Sequence, residues 1–261
     1  MNSFTLPHRL RNNQPVGPGR RIRSRHPAGP AAGYNVGTVT RGEIVREILV
    51  ATSNAGKLRD LNAMAANRGI RIAGIPDFKK LPPAREDAPT FEANACEKAE
   101  YYSRYVPGRY VLADDSGLAV DALDGAPGVH SARYALLGTS AEGNATDAAN
   151  NACLLSALEN VPDAQRGARF VCILAVARNG RTVICFRGEV AGTILHAARG
   201  SDGFGYDPLF YVAACQRTFG ELTPAQKGEL SHRGIAFRKF LAWFGALSAA
   251  EMANRSPDNT V

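Results

Sequence analysis

Along the 261-residue chain, apolar positions fall into short runs and helical faces from about Glu47 onward. Ile48-Leu49-Val50-Ala51 is a continuous apolar run ending in Thr-Ser-Asn, which reads as a buried strand meeting a turn. Lys57 to Asn67 has helical spacing, with Leu58, Leu61 and Met64 to Ala65 on one face. Arg68-Gly69 closes it, and Ile70-Arg71-Ile72 alternates as a second strand. A loop rich in proline and charge covers 76–89, and Thr90 caps a helix expected through Tyr105, built on Phe91, Ala95, Ala99 and Tyr102.

Tyr110-Val111-Leu112-Ala113 reads as a strand that stops at Asp114-Asp115-Ser116-Gly117. A helix is expected over 145–159. Two β-rich runs follow, Phe170 to Ala177 and Thr182 to Ile194, and the Asn-Gly between them signals a hairpin. After a glycine-rich loop (200–208), a last long helix is expected from Ser231 to Glu251. Helices alternating with strands, plus one antiparallel hairpin, predict an α/β protein with a mixed central sheet flanked by helices.

Charge changes the picture less than its total suggests. The net charge is +7, which first points to an anionic partner. Residues 1–43, however, carry seven arginines and a single acid, Glu43, leaving 24 basic and 23 acidic residues for the rest. A nucleic-acid partner is therefore not expected of the near-neutral body. The Gly/Pro-rich stretch 1–43 reads as a disordered basic leader, 44–251 as the folded domain and 252–261 as a flexible tail. Five widely spaced cysteines without a Cys-x-x-Cys pair indicate neither a disulfide framework nor a zinc site, and a reducing, cytoplasmic setting fits them. No run is apolar enough to span a membrane, so no membrane association is expected.

Four segments carry candidate chemistry. In Asp114-Asp115-Ser116-Gly117, adjacent acids on extended backbone point in opposite directions and cannot form a close carboxylate pair. One of them can face the crevice beyond a strand's carboxyl end, where α/β proteins bind ligands, and Ser116-Gly117 would let backbone approach an anion. Alone, such a tetrad is more often a solvated turn. Thr52-Ser53-Asn54-Ala55-Gly56-Lys57 lies between a strand and a helix start, where free N–H groups favour phosphate and Lys57 adds charge. It is not a Walker A loop, because Leu58 follows the lysine. Gly200 to Pro208 holds Phe204, Gly205, Tyr206 and Asp207, an aromatic on flexible backbone that suits stacking on a base. Lys227 and Ser231-His232-Arg233-Gly234 offer cations and donors at a helix start.

Together, in this order, these strings resemble the inosine/xanthosine triphosphate pyrophosphatase family, also called the Ham1 or non-canonical purine NTP pyrophosphatase family. The likeness runs from about Ile48 to Phe244 and includes Gly-Ala-Pro-Gly-Val-His-Ser-Ala-Arg-Tyr at 125–134. It implies two lobes around a substrate cleft, and Mg2+-dependent hydrolysis of dITP, ITP and XTP to the monophosphate and pyrophosphate. It also implies a homodimer. Asp115 matches the catalytic acid, acting either as a metal ligand or as the acceptor of the water's proton. Residues 52–57 match the triphosphate segment, and Ser116 a substrate contact. Phe204, Gly205, Tyr206, Asp207, Lys227, His232 and Arg233 match the surroundings of base and phosphates. The family usually carries Phe-x-Glu-Asn-Ala on its helix, whereas Ala93 stands here at the Glu position. Glu86 matches an acid just before the helix and takes the second metal role.

Overall fold

The computed structural model describes residues 46–53 and 55–247. The expected leader, the expected tail and Asn54 lie outside the described residues, and the last helix ends at Ala246, where Leu247 turns extended, short of the expected Glu251.

β1 (Arg46–Val50), α1 (Ala55–Ala65) and β2 (Ile70–Gly74) form the first expected unit. β1 pairs parallel with β2 along its whole length, from Arg46↔Ile70 to Val50↔Gly74. α2 (Phe91–Ser103) begins where the Thr90 hydroxyl accepts the Ala93 amide at 3.1 Å, as the capping signal predicts.

β3 spans Val111–Val120 and corrects the expectation that this strand stops at Asp114. Its composition from Asp114 to Gly117 is that of a turn. Pairing with β4 (Gly167–Arg178) nevertheless continues unbroken from Val111↔Ala177 to Val120↔Ala168. Tertiary pairing overrides local preference here. β4 returns as β5 (Arg181–Ile194) through Asn179 and Gly180, both at positive φ (52° and 76°), as a two-residue hairpin turn of type I′ requires.

α3 (Asp147–Ala157), β6 (Phe210–Val212), β7 (Arg217–Thr218), α4 (Pro224–Leu230) and α5 (His232–Ala246) complete the chain. The sheet order is β2-β1-β3-β4-β5-β6-β7, parallel over the first three strands and antiparallel thereafter. The protein is thus α/β with a mixed central sheet, as the hydrophobic pattern predicts.

Alternation along the strands sorts the core. Leu112, Cys172, Leu174 and Val176 pack under Phe237, Phe240 and Phe244 of α5 and Leu61 of α1. Val111, Ala113, Ile173 and Ala175 point the other way, against Ala95, Ala99 and Tyr102 of α2. A further cluster gathers the far halves of the long strands (Leu118, Val120, Phe170, Ile194) with Leu154 of α3, Phe210 and Phe219. Arg166 is buried within this region but satisfied, donating to the carbonyls of Ile194 (2.8 Å), Leu158 (2.7 Å) and Leu195 (3.1 Å). Among the described residues no helix is long and apolar enough to cross a membrane.

Candidate active site

The site arises where β1 ends and β3 continues. β1 pairs with β3 only at Leu49↔Val111 and Val50↔Leu112, then leaves the sheet through Thr52 and Ser53 toward α1. Beyond Leu112 the edge of β3 has no strand beside it, and side chains take its amides instead. The Ser116 amide donates to Asp115 Oδ1 at 3.0 Å, and the Leu118 amide to Ser131 Oγ at 2.9 Å. An open edge at the point where strand order departs from chain order is a ligand-binding position in α/β sheets.

Strand alternation places Asp114 and Asp115 on opposite faces. Asp114 faces α1 and α5, where the Lys57 ammonium pairs with it and Arg233 Nε donates to it at 3.1 Å. Although burial works against ionisation, Lys57 and Arg233 hold its carboxyl well below the usual carboxylate range. Arg233 also donates to Ser116 Oγ at 2.9 Å, so one guanidinium spans residues i and i+2 of β3.

Asp115 faces α2 and has the reverse character. Burial, then the negative charge of Glu86, raises its carboxyl to about 6, while the Asn94 side chain and Lys98 oppose the shift. Its Oδ2 is buried with no hydrogen-bond partner, a costly condition for a carboxylate unless a ligand completes it. Glu86 lies just before α2 and accepts Lys98 Nζ at 2.5 Å. Glu86, Asp114 and Asp115 together keep Lys98 charged against the cost of its own burial.

The sequence reading missed Asn94 and Lys98. They are one helical turn apart on α2 and so share the face turned to the sheet. The signal was present, since Asn94 falls among the apolar positions of the helix yet is itself buried.

Ser116 and Gly117 open into a cleft with Phe170, Phe204, Tyr206, Lys227, His232 and Arg233. The cleft encloses about 140 Å3 and opens to solvent beyond that. Gly117 has a different task from the expected backbone approach to an anion. A Cβ there would meet Ser131 Oγ at 2.3 Å and the Gly128 carbonyl at 2.7 Å, so the glycine lets the 128–136 segment lie against β3.

The glycine-rich loop is held by its own acid. Asp207 is 2% exposed, accepts the Phe204 amide at 2.8 Å and pairs with Lys227. Tyr206 is buried, and its hydroxyl donates to the Ser131 carbonyl at 2.8 Å. Gly205 is clamped from α3, its amide donating to Asp147 Oδ2 (2.7 Å) and its carbonyl accepting Asn151 Nδ2 (3.0 Å). Phe204 by contrast stands out, 59% exposed, with Lys227 Nζ 4.5 Å and Arg233 Cζ 5.6 Å from its ring centroid.

His232 is buried, its ring stacked on Phe170 at 4.7 Å and 8°. Burial, then the cations Arg233 and Lys227, push its pKa well below the ordinary value, so the imidazole is neutral at pH 7. Its Nδ1 has no hydrogen-bond partner. The ring is fixed by the close seat of α5 on β5, where a Cβ on Gly188 would meet the His232 carbonyl oxygen at 1.9 Å.

The predicted residues therefore converge. Lys57, Asp114, Ser116 and Arg233 line one side of β3, Asp115 and Glu86 the other, and Phe204, Lys227 and His232 border the cleft. Among the described residues no cluster of three or more His, Cys, Asp or Glu side chains forms a ready metal cage. A magnesium-type ion nonetheless asks for only one or two carboxylates when phosphate oxygens complete its shell. The orphaned Asp115 Oδ2 with Glu86 beside it fits that demand.

A family model described as the Ham1 family matches residues 48–243. The chain is 47% identical over 195 residues to a dITP/XTP pyrophosphatase of Geobacillus kaustophilus, covering 75% of this chain and 92% of that protein. It is 46% identical over 197 residues to one of Lactiplantibacillus plantarum, covering 76% and 94%. Among solved structures, a HAM1 protein from Coxiella burnetii superposes with a TM-score of 0.69 at 37% identity, over 77% of this chain and all of that one.

Proposed function

The chain belongs to the Ham1 family, and from that premise we propose that it hydrolyses dITP, ITP and XTP to the monophosphate and pyrophosphate. Such an activity clears non-canonical purines from the nucleotide pool. The observation that carries the reading is the pairing of opposites across β3. A proton-accepting carboxyl, Asp115, with an orphaned oxygen lies on one face, and a cation pair, Lys57 and Arg233, lies on the other.

Breaking a phosphoanhydride asks for charge neutralisation and an oriented water more than for covalent chemistry. A triphosphate laid across the open edge of β3 would meet Lys57 and the turn at Thr52–Ser53 on one side and Lys98 on the other. These lysines are already paired with Asp114 and Glu86, so they are oriented before substrate arrives. Mg2+, where bound, would be held by Asp115 and Glu86 and would supply further neutralisation of the phosphate oxygens. Where Asp115 does not hold the metal, its carboxyl, raised to about 6, would instead accept the water's proton.

The base would enter the cleft beside Phe204, whose exposed ring offers a stacking surface. His232 is the selective element. In the tautomer that carries its proton on Nδ1, this neutral imidazole can donate to a 6-oxo oxygen but meets another donor in the 6-amino group of adenine. Arg233 adds a second donor, already tied to Asp114 and Ser116.

Homodimerisation and a cytoplasmic setting belong to the same proposal, and sedimentation of the purified chain tests the first. The substrate class is tested by a hydrolysis panel of dITP, XTP, dTTP and UTP. The account expects the two purine nucleotides to be turned over at least about tenfold faster in kcat/KM, a difference of about 1.4 kcal/mol. Preference for dTTP or UTP would instead identify a pyrimidine-directed pyrophosphatase of the Maf type.

A further inference from the structure

Away from the cleft, Cys96 on α2 and Cys185 on β5 face each other with their sulfurs 3.1 Å apart, both half-buried. They are 89 positions apart in the chain, so the juxtaposition is made by the fold alone. A disulfide needs its sulfurs at about 2.05 Å and β-carbons within about 4.5 Å, and side chains already in contact reach this by small rotations.

The two elements are independently registered around the pair. Glu100 Oε1 accepts the Thr182 amide at 3.0 Å, and Ser103 Oγ accepts the Gly180 amide at 2.8 Å. Nothing must slide for the sulfurs to meet. The remaining cysteines lie elsewhere. Cys172 is buried on the α5 face of the sheet, while Cys153 belongs to α3 and Cys215 to the turn after β6.

We propose that Cys96 and Cys185 form a reversible redox pair that closes to a disulfide in the presence of a hydroperoxide and fastens α2 to β5. In the first step the Cys96 thiolate attacks a peroxide oxygen. A sulfur–oxygen bond forms, the O–O bond breaks, and the departing oxygen takes a proton and leaves as water. In the second step the Cys185 sulfur attacks Cys96 sulfur. The S–S bond forms, the S–O bond breaks, and hydroxide leaves as water with the Cys185 proton. Two thiols give up two electrons to one hydrogen peroxide, and a dithiol reductant returns them.

The roles follow from the surroundings. Burial, the hydrogen bond to Cys96, and the nearby Glu92 and Glu100 push the Cys185 thiol up to about 12, so it keeps its proton. Cys96 is then the sulfur that meets the oxidant, and Cys185 the one that resolves it. Because Cys96 lies two residues after Asn94, closing the bond pins the stretch of α2 that abuts Asp115. It also shields Cys96 from further oxidation.

The full-length protein is treated with hydrogen peroxide, its remaining thiols are alkylated, and tryptic peptides are mapped without reduction. The expected result is a linked pair of peptides 86–98 and 182–187, which hold Cys96 and Cys185 and no other cysteine. Dithiothreitol should release them. The oxidised protein should also unfold about 5–10 °C higher than the reduced one, a rise absent from Cys96→Ser and from Cys185→Ser. Alkylation of both cysteines after peroxide, a sulfinic acid at Cys96, or a link to Cys153, Cys172 or Cys215 would each overturn the proposal. So would an equal rise in the serine variants. None of these readouts depends on nucleotide hydrolysis, so the pair and the proposed activity stand or fall separately.

Discussion

Asp115 holds its proton up to about pH 6 because burial, with the charge of Glu86, opposes ionisation. Two consequences follow at the scale of the residue. Replacing it by asparagine keeps size and polarity but removes the proton acceptor, and kcat for dITP should fall by about 10²–10⁴-fold with an unchanged circular dichroism spectrum. Retention of near-wild-type kcat would remove Asp115 from the chemistry. The second consequence concerns stability. A carboxyl whose folded pKa lies above its unfolded value near 3.8 disfavours the native state once ionised, so this penalty grows between about pH 4 and pH 6 and is complete above that. Asp115→Asn should therefore be more stable than wild type at pH 7, by roughly 2–3 kcal/mol, with the advantage gone at pH 4. Paired denaturation curves at the two pH values measure it. Phe204, by contrast, is exposed and packs against little besides Lys227 and Arg233. Phe204→Ala should raise KM for dITP with kcat nearly kept, and an unchanged KM would reject the stacking role.

Elements set these side chains, and glycine decides how closely the elements meet. α5 lies against the backbone of β5 at Gly188, where an added Cβ would strike the His232 carbonyl and the Ala236 amide nitrogen at 1.9 and 2.6 Å. Gly188→Ala should push the start of α5 outward, costing about 1–3 kcal/mol and raising KM as His232 and Arg233 shift together. Thermal unfolding and steady-state kinetics on the one variant check both effects, and a loss of stability without a change in KM would separate α5 from the base. Legibility varied among the elements for physical reasons. β1, α1, α2 and the β4–β5 hairpin announce themselves through apolar runs, the Thr90 cap and Asn-Gly. The outer half of β3 does not, because Asp-Asp-Ser-Gly has turn composition and its strand state comes from pairing with β4, where Asp114 meets Leu174 and Gly117 meets Val171. α4 is absent from the expected elements, although a Thr-Pro-x-Gln capping box at 223–226 marks its start. Asp207 and Tyr206, which line the cleft, are also fastened to the fold by their side chains.

On the scale of the whole molecule, three clusters of core meet along β3 and β4, whose Ser116, Gly117 and Phe170 line the cleft. The sequence motifs announced that meeting place better than periodicity did, because each motif supplies one wall of the cleft and is uninformative alone. What no single motif carried was the division of labour between Asp114 and Asp115. It depends on which face each acid takes, and so on where β1 leaves the sheet. Removing residues 1–43, which hold most of the net positive charge, should leave dITP turnover within about twofold if the described body contains the whole site. The most direct test of the central claim is the product formed from dITP and XTP, with ATP and GTP alongside, in Mg2+ and again with EDTA. The account predicts pyrophosphate and the nucleoside monophosphate from dITP and XTP, little turnover of ATP and GTP, and loss of activity in EDTA. Release of orthophosphate, equal turnover of ATP, or no turnover at all with Mg2+ would contradict it.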